Sequence, residues 1–170
     1  DVIRQALPRR GKILVPTFAV GRAQLLTLLL SWMFRKGKVK PFPAYLDSPM
    51  AQAISRVFEK SKTYLDEEYH DLRRRMGSIM TAEWLHFTES VEDSKAITSS
   101  RQPSIVLAAS GMCEHGRILH HLKHGIENPA NIVLLVGYQA QHTLGRRLQN
   151  HEPVVRIFGD EFEVRAEVET

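Results

Sequence analysis

A three-layer α/β domain, built on a mainly parallel sheet flanked by helices, is the fold that this 170-residue sequence predicts. Three observations predict it. Residues 12–16, 44–47, 104–109 and 132–137 are largely continuous apolar runs, the pattern of strands covered by helices on both faces. Helical stretches alternate with those runs, as α/β architecture requires. Each run also finishes in groups able to bind an anion, and in an open parallel sheet such ends share one edge, where ligands usually bind.

Taken in order, residues 1–8 read as the tail of a helix, with Pro8-Arg9-Arg10-Gly11 turning into the first strand. A long, mostly buried helix is expected from Ala19 to about Arg35. Lys36-Gly37-Lys38 and Pro41–Pro43 give it a basic end and its breakers. After the strand at 44–47, Ser48 can cap a helix that Pro49 begins. Residues 65–76 place acids early and three arginines late, as a helix dipole favours. A short strand is expected at 84–87, and Ser90 to Ile97 reads as a capped surface helix. Loops at 101–103 and 127–131 precede the next two strands. A short helix starts near Thr143. Two final strand-like runs follow at 154–158 and 161–168. The second alternates sharply, with Phe162, Val164, Ala166 and Val168 on one face and charges on the other, so it reads as half-exposed.

A chain of this length fits one domain and buries roughly two thirds of the surface it exposes unfolded. Hydrophobic residues at 43% and charged residues at 25% argue against disorder and fibrous repeats. The single Cys113 excludes an internal disulfide and suits a reducing cytoplasm. The net charge of +4 favours a polyanionic partner only weakly. Residues 25–34 are too short to span a bilayer, and no secretory signal opens the chain.

The strand ends carry the chemistry. Ser110-Gly111-Met112, read as opening a helix, offers a hydroxyl, free backbone N–H groups and close approach at glycine. Arg117 can grip a phosphate with two parallel bonds. Helix capping by Ser110 is the plain rival. Thr17, Gly21 and Arg22 form a comparable group, with a buried Arg22 pinning carbonyls as its rival. Ser48 is read as a cap that shares this edge. Tyr138 and Gln139 offer a stacking face and a paired donor and acceptor, as single-stranded RNA recognition uses, against a plain core tyrosine. His120 and His124 share a helical face at zinc-chelating spacing, but no glutamate lies between them in the zinc-protease pattern and no third ligand is apparent. Cys113 lacks an inferable acid partner beyond His115, paired-carboxylate catalysis is unsupported, and no Walker-type or dinucleotide-binding glycine pattern occurs.

Residues 16–24, 46–51, 110–112, 116–122, 137–139 and 143–145, in that order and spacing, resemble the β-CASP domain of metallo-β-lactamase-fold ribonucleases. The likeness is to bacterial and archaeal RNA-processing members related to the cleavage and polyadenylation endonuclease subunit, and it covers nearly all of 1–170. It implies a cap domain excised from a larger nuclease, with single-stranded RNA held between cap and metallo-β-lactamase domain. Thr17, Gly21, Arg22, Ser48, Ser110, Gly111, Arg117, Tyr138 and Gln139 would contact RNA. The two zinc ions implied for the whole enzyme need a His-x-His-x-Asp-His run that is missing here, so no catalytic or metal-binding residue is expected in this segment. The terminal strand is expected to lead back toward the catalytic sheet. His120 and His121 match the family's helix after Ser-Gly-Met, whereas His115 and His142 stand where relatives often have small residues. A cytoplasmic enzyme without membrane attachment is expected, with a homo-oligomer possible. A DNA nuclease or repair enzyme, and a catalytically dead scaffold, remain the alternatives.

Overall fold

A computed structural model describes residues 2–61, 67–76 and 82–170. Eight strands and seven helices run in the order α1 (Val2–Arg9), β1 (Lys12–Pro16), α2 (Arg22–Arg35), β2 (Ala44–Asp47), α3 (Pro49–Lys60), α4 (Glu67–Met76), β3 (Leu85–Phe87), α5 (Val91–Ser99), β4 (Ser104–Ala108), α6 (Arg117–Gly125), β5 (Ile132–Leu134), α7 (Leu144–Gln149), β6 (Val154–Ile157), β7 (Asp160–Glu163) and β8 (Glu167–Glu169) among these residues. Six strands form one sheet in the order β3-β2-β4-β1-β5-β8, every pairing parallel. The expected start of α4 at 65 lies outside the described residues.

Period-two alternation along the central strands divides the core between two faces. Leu14, Val106, Ala108 and Val133 turn one way, to Ile118 and Leu122 of α6 and Leu144 and Leu148 of α7. Ile13, Val15, Ile105, Leu107 and Leu46 turn the other way, to Ala6 of α1, Ala23, Leu30 and Phe34 of α2 and Ala51 of α3. Both faces are therefore apolar, which explains the continuous runs. Each fully buried Leu or Ile contributes about 1.5–3 kcal/mol before entropy is charged. The three layers expected from the sequence are present.

That division positions the site. Adjacent β1 and β4 pair from Lys12 with Ser104 to Pro16 with Ala108, yet β1 feeds α2 on one face and β4 feeds α6 on the other. Such a switch point opens a crevice outside the carboxyl ends of the two strands.

Four local expectations are corrected. α2 begins at Arg22 rather than Ala19, because Gly21 sits at φ 75, ψ −60 and the Arg22 N–H donates to the Val20 carbonyl at 2.9 Å, closing a γ-turn. Ser110 does not open a helix, since α6 starts seven residues later at Arg117. β5 stops at Leu134. The run 161–168 is two strands. β7 closes an antiparallel hairpin with β6. The N–H groups of Arg165 and Ala166 then both donate to the Ile126 carbonyl, at 3.0 and 2.8 Å, and the chain enters β8. β8 pairs with β5, so the terminal strand belongs to this same sheet. The alternation survives the break because Phe162, Val164, Ala166 and Val168 all pack on the α6 and α7 side of the core.

Candidate nucleic-acid interface

The loop joining β4 to α6 is the hub of the carboxyl edge. Ser110 folds it: its hydroxyl accepts the N–H groups of Glu114 and His115 at 3.1 and 3.4 Å, and its own N–H donates to the His115 carbonyl at 3.0 Å. Ser110 is thus neither a helix cap nor an exposed hydroxyl. Gly111 faces the Phe18 ring so closely that a Cβ would collide with it, which locks this loop to the turn after β1. Gly116, at φ 81, packs on the Ala109 carbonyl oxygen and leaves no space for a Cβ. Cys113 is buried beneath the loop, and burial with the nearby Glu114 charge pushes its thiol up to about 12. A thiol that stays protonated at neutral pH is a poor nucleophile.

Asp47, at the end of β2, is buried and holds three elements together. Its Oδ1 accepts from Arg117 Nη1 at 2.6 Å, and its Oδ2 accepts from the Ser94 hydroxyl of α5 and lies beside His121 Nε2, each at 2.6 Å. Arg117 Nη1 also donates to the Thr88 carbonyl at 3.0 Å, and its Nη2 to the Glu89 carbonyl at 3.1 Å. Burial alone would push the Asp47 carboxyl up. Hydrogen bonds from His121, Ser94 and Arg117 outweigh it and hold the carboxyl below its ordinary value. Arg117, expected to reach out to a phosphate, instead spends its guanidinium inside the protein on three acceptors from the β2 and β3 ends. Ser48, the next residue, caps α3 by accepting the Ala51 N–H at 3.2 Å.

The turn after β5 is tied to the same hub. Gln139 is buried, and its Nε2 donates to the Gly111 and Gly137 carbonyls at 2.9 and 3.1 Å. It therefore fastens two loops from within instead of facing a ligand. The Gly145 N–H donates to the Met112 carbonyl at 3.0 Å, and the Leu144 N–H to Glu114 Oε1 at 2.7 Å. Tyr138, beside Gln139, is turned fully outward. His142 takes φ 68, a left-handed backbone that glycine accepts without cost.

Of the nine residues expected to touch RNA, all lie at this one edge, but only three face outward. Gly21 and Arg22 are exposed at the β1 turn, and among the described residues the Arg22 guanidinium makes no hydrogen bond or ion pair. Tyr138 is the third. Thr17, Ser48, Ser110, Gly111 and Gln139 are buried, and Arg117 is largely so. Phe18 and Val20 in the turn after β1, with Met50 and Val91 in the first turns of α3 and α5, expose apolar surface along the same edge. Asp47, Ser94 and His121 were missed as a group. The available signal was an acid closing an apolar strand, together with Arg117 and His121 four residues apart on one helical face.

The histidines of α6 point three ways. His121 faces Asp47, the His120 ring packs on Phe158 at 4.8 Å between centroids, and His124 Nδ1 donates to the His120 carbonyl at 2.8 Å. Among the described residues no group of three or more His, Cys, Asp or Glu side chains could hold a metal ion.

Comparison with known proteins gives a consistent picture. A family profile described as the Beta-Casp domain matches residues 23–148. Ribonuclease TTHA0252 of Thermus thermophilus is 40% identical over 171 aligned residues, covering all of this chain and 39% of that protein. Transcription termination factor FttA of Methanothermobacter thermautotrophicus is 36% identical over 148 residues, covering 86% of this chain and 23% of that protein. An RNase J-like protein of Methanocaldococcus jannaschii is 28% identical over 169 residues, or 99% of this chain and 38% of that protein. The chain therefore spans well under half the length of these relatives.

Proposed function

This chain belongs to the Beta-Casp domain family, and from that premise we propose that it is the RNA-holding domain of a longer, zinc-dependent, cytoplasmic ribonuclease that hydrolyses phosphodiester bonds. One observation carries the reading. The ends of β1, β2, β3, β4 and β5 are bonded into a single rim at the switch point of the sheet, and that rim presents Arg22, without a hydrogen-bond or ion-pair partner among the described residues, and an exposed tyrosine. Relatives named as a ribonuclease and as a transcription termination factor both contain this domain, and a grip on RNA is the task that would serve both.

In this reading the chain's own residues bind and orient. Arg22 contacts a phosphate, and the Gly21 γ-turn lets the backbone come close to it. Arg117, Asp47, Ser110 and Gln139 act by positioning, each holding a loop at the rim. Thr17, Ser48 and Gly111 shape the same edge without reaching the strand. The zinc ions belong to residues of the metallo-β-lactamase domain, outside this chain, and supply an activated water there. Exposed Phe18, Val20, Met50 and Val91 suit burial against that domain. The buried, free Cys113 fits a reducing compartment. Among the described residues no helix is long and apolar enough to cross a membrane.

Fluorescence anisotropy with matched single-stranded RNA and DNA oligonucleotides tests the reading on this chain. RNA should bind measurably, more weakly as salt rises, and without cleavage. Equal or tighter binding of DNA would favour the DNA-nuclease alternative. Absence of binding to either would leave the scaffold reading.

A further inference from the structure

One part of the rim is built unlike the rest. The backbone on both sides of Tyr138 is fixed by Gln139 Nε2, which bridges the Gly111 and Gly137 carbonyls, while Tyr138 itself is 70% exposed. A rigidly mounted, bare ring has no role in the core. Its surroundings are also unusual. The Arg146 guanidinium of α7 lies over the ring, 5.7 Å from its centroid. Among the described residues that guanidinium has no hydrogen bond or ion pair, and its Nε is closed off from solvent without an acceptor. The ring face is thus its one partner, a cation–π contact that leaves the positive charge uncompensated.

Ring and cation both line a groove of about 680 Å³, within the range of small-molecule sites. Gln141, His142 and Asn150 line it, with Arg147 and Glu152. Glu152 is the acid of the groove and is paired with Arg147 Nε at 2.8 Å, so Arg146 sets the sign of the field. Gln141 and Asn150 supply amides, each carrying two donors and an acceptor. A protein partner seated on a tyrosine favours an apolar surround. Here the surround is polar and cationic, which matches an anionic, flat, hydrogen-bonding group.

We propose that this groove is a single-nucleotide subsite for single-stranded RNA: a base stacks on the Tyr138 ring, the adjoining phosphate lies against Arg146, and the Gln141 and Asn150 amides meet the base edge. The inference rests on the RNA-holding reading above and adds to it base stacking as a second mode of grip beside the phosphate contact at Arg22.

The test uses anisotropy titrations of the chain with a single-stranded RNA oligomer and with an abasic oligomer of equal length. Tyr138→Ala should weaken RNA binding by about tenfold with an unchanged salt slope, because stacking carries no charge. Tyr138→Phe should bind as the parent does. Arg146→Ala should weaken binding and lower the salt slope by about 0.7, one phosphate of a single strand. The abasic oligomer should bind the parent about as weakly as RNA binds Tyr138→Ala. A thermal melt checks that the variants keep the fold, as an exposed ring should allow. Parent-like binding by Tyr138→Ala, or Phe behaving as Ala does, overturns the subsite while leaving the RNA-holding reading in place. Failure of the parent to bind any RNA removes both.

Discussion

Gly21-Arg22 and Gly116-Arg117 are the same dipeptide at the same place in the helices that leave adjacent strands. Both glycines are N-caps with positive φ, 75 and 81, and neither start has a side-chain cap. The two arginines nevertheless have opposite surroundings. Arg22 stands in solvent with no partner among the described residues, whereas the Arg117 side chain is only 18% exposed and reaches Asp47, Thr88 and Glu89. The difference arises from the strands beside them. β4 lies next to β2, whose last residue is a buried carboxylate that needs a cation. Local sequence thus sets how a helix begins, and the neighbouring strand decides whether its first arginine is structural or available.

The largest effect should come from removing the carboxylate that makes the two arginines differ. Asp47→Ala leaves Arg117 without its charge partner and deprives Ser94 and His121 of their acceptor, so unfolding in denaturant should show a loss of about 3–5 kcal/mol. Acid titration of the parent gives a second reading. Burial opposes ionisation of Asp47, but its three hydrogen bonds hold the folded carboxyl below its ordinary value of 3.8. Its contribution is therefore full above that value and is lost as pH falls through the lower, folded one. Asp47→Asn should flatten this part of the stability profile below about pH 4. An Asp47→Ala chain as stable as the parent would mean that Arg117 is as free as Arg22.

The glycines should separate next. A Cβ at Gly116 would land on the Ala109 carbonyl oxygen, and φ 81 with ψ −171 is a region that only glycine occupies readily. Gly21 has a positive φ too, but open space around it. Strain alone costs about 1–3 kcal/mol at either position. Gly116→Ala should exceed that range because the hub loop must also move, and Gly21→Ala should stay within it. Midpoints of denaturant unfolding measured side by side decide the matter. Equal losses would show that the hub loop yields more easily than its packing implies.

The inner strands and the three-layer architecture were legible because burial on both faces writes itself as unbroken apolar runs, as at 12–16 and 104–109, although the latter strand closes one residue earlier, at Ala108. The Ser48 cap was legible because Ser-Pro is a local signal. What failed were judgements about side chains whose partners the local pattern does not mark. Ser110 looked like a helix start, since nothing local announces that its hydroxyl folds the chain back onto Glu114 and His115. Gln139 looked like a ligand contact, since its acceptor at Gly111 lies 28 residues away. Arg117 looked available because Asp47 lies 70 residues before it. The 161–168 run looked like one strand because the bend at 164–166 preserves side-chain parity. The Ile126 carbonyl, which accepts the Arg165 and Ala166 N–H groups in that bend, carries no sequence mark at all.

The smallest effect on the fold, and the clearest on function, belongs to Arg22. Arg22→Ala removes an exposed side chain with no hydrogen bond or ion pair among the described residues, so its melting temperature should match the parent's. Its RNA affinity should fall, with the salt slope lowered by about 0.7 if one phosphate contact is lost. Arg117→Ala should show the converse pattern: lower stability because the buried Asp47 carboxylate loses its cation, weaker binding through a displaced hub loop, and a salt slope unchanged because no phosphate contact was removed. Arg117→Lys keeps the charge but cannot span three acceptors in the guanidinium's planar fork, so it should restore only part of the lost stability. The salt slope is the deciding measurement, since affinity alone falls in both variants. A slope that drops for Arg117→Ala and not for Arg22→Ala would exchange the two roles, and would mean that the bond to Asp47 opens when RNA arrives.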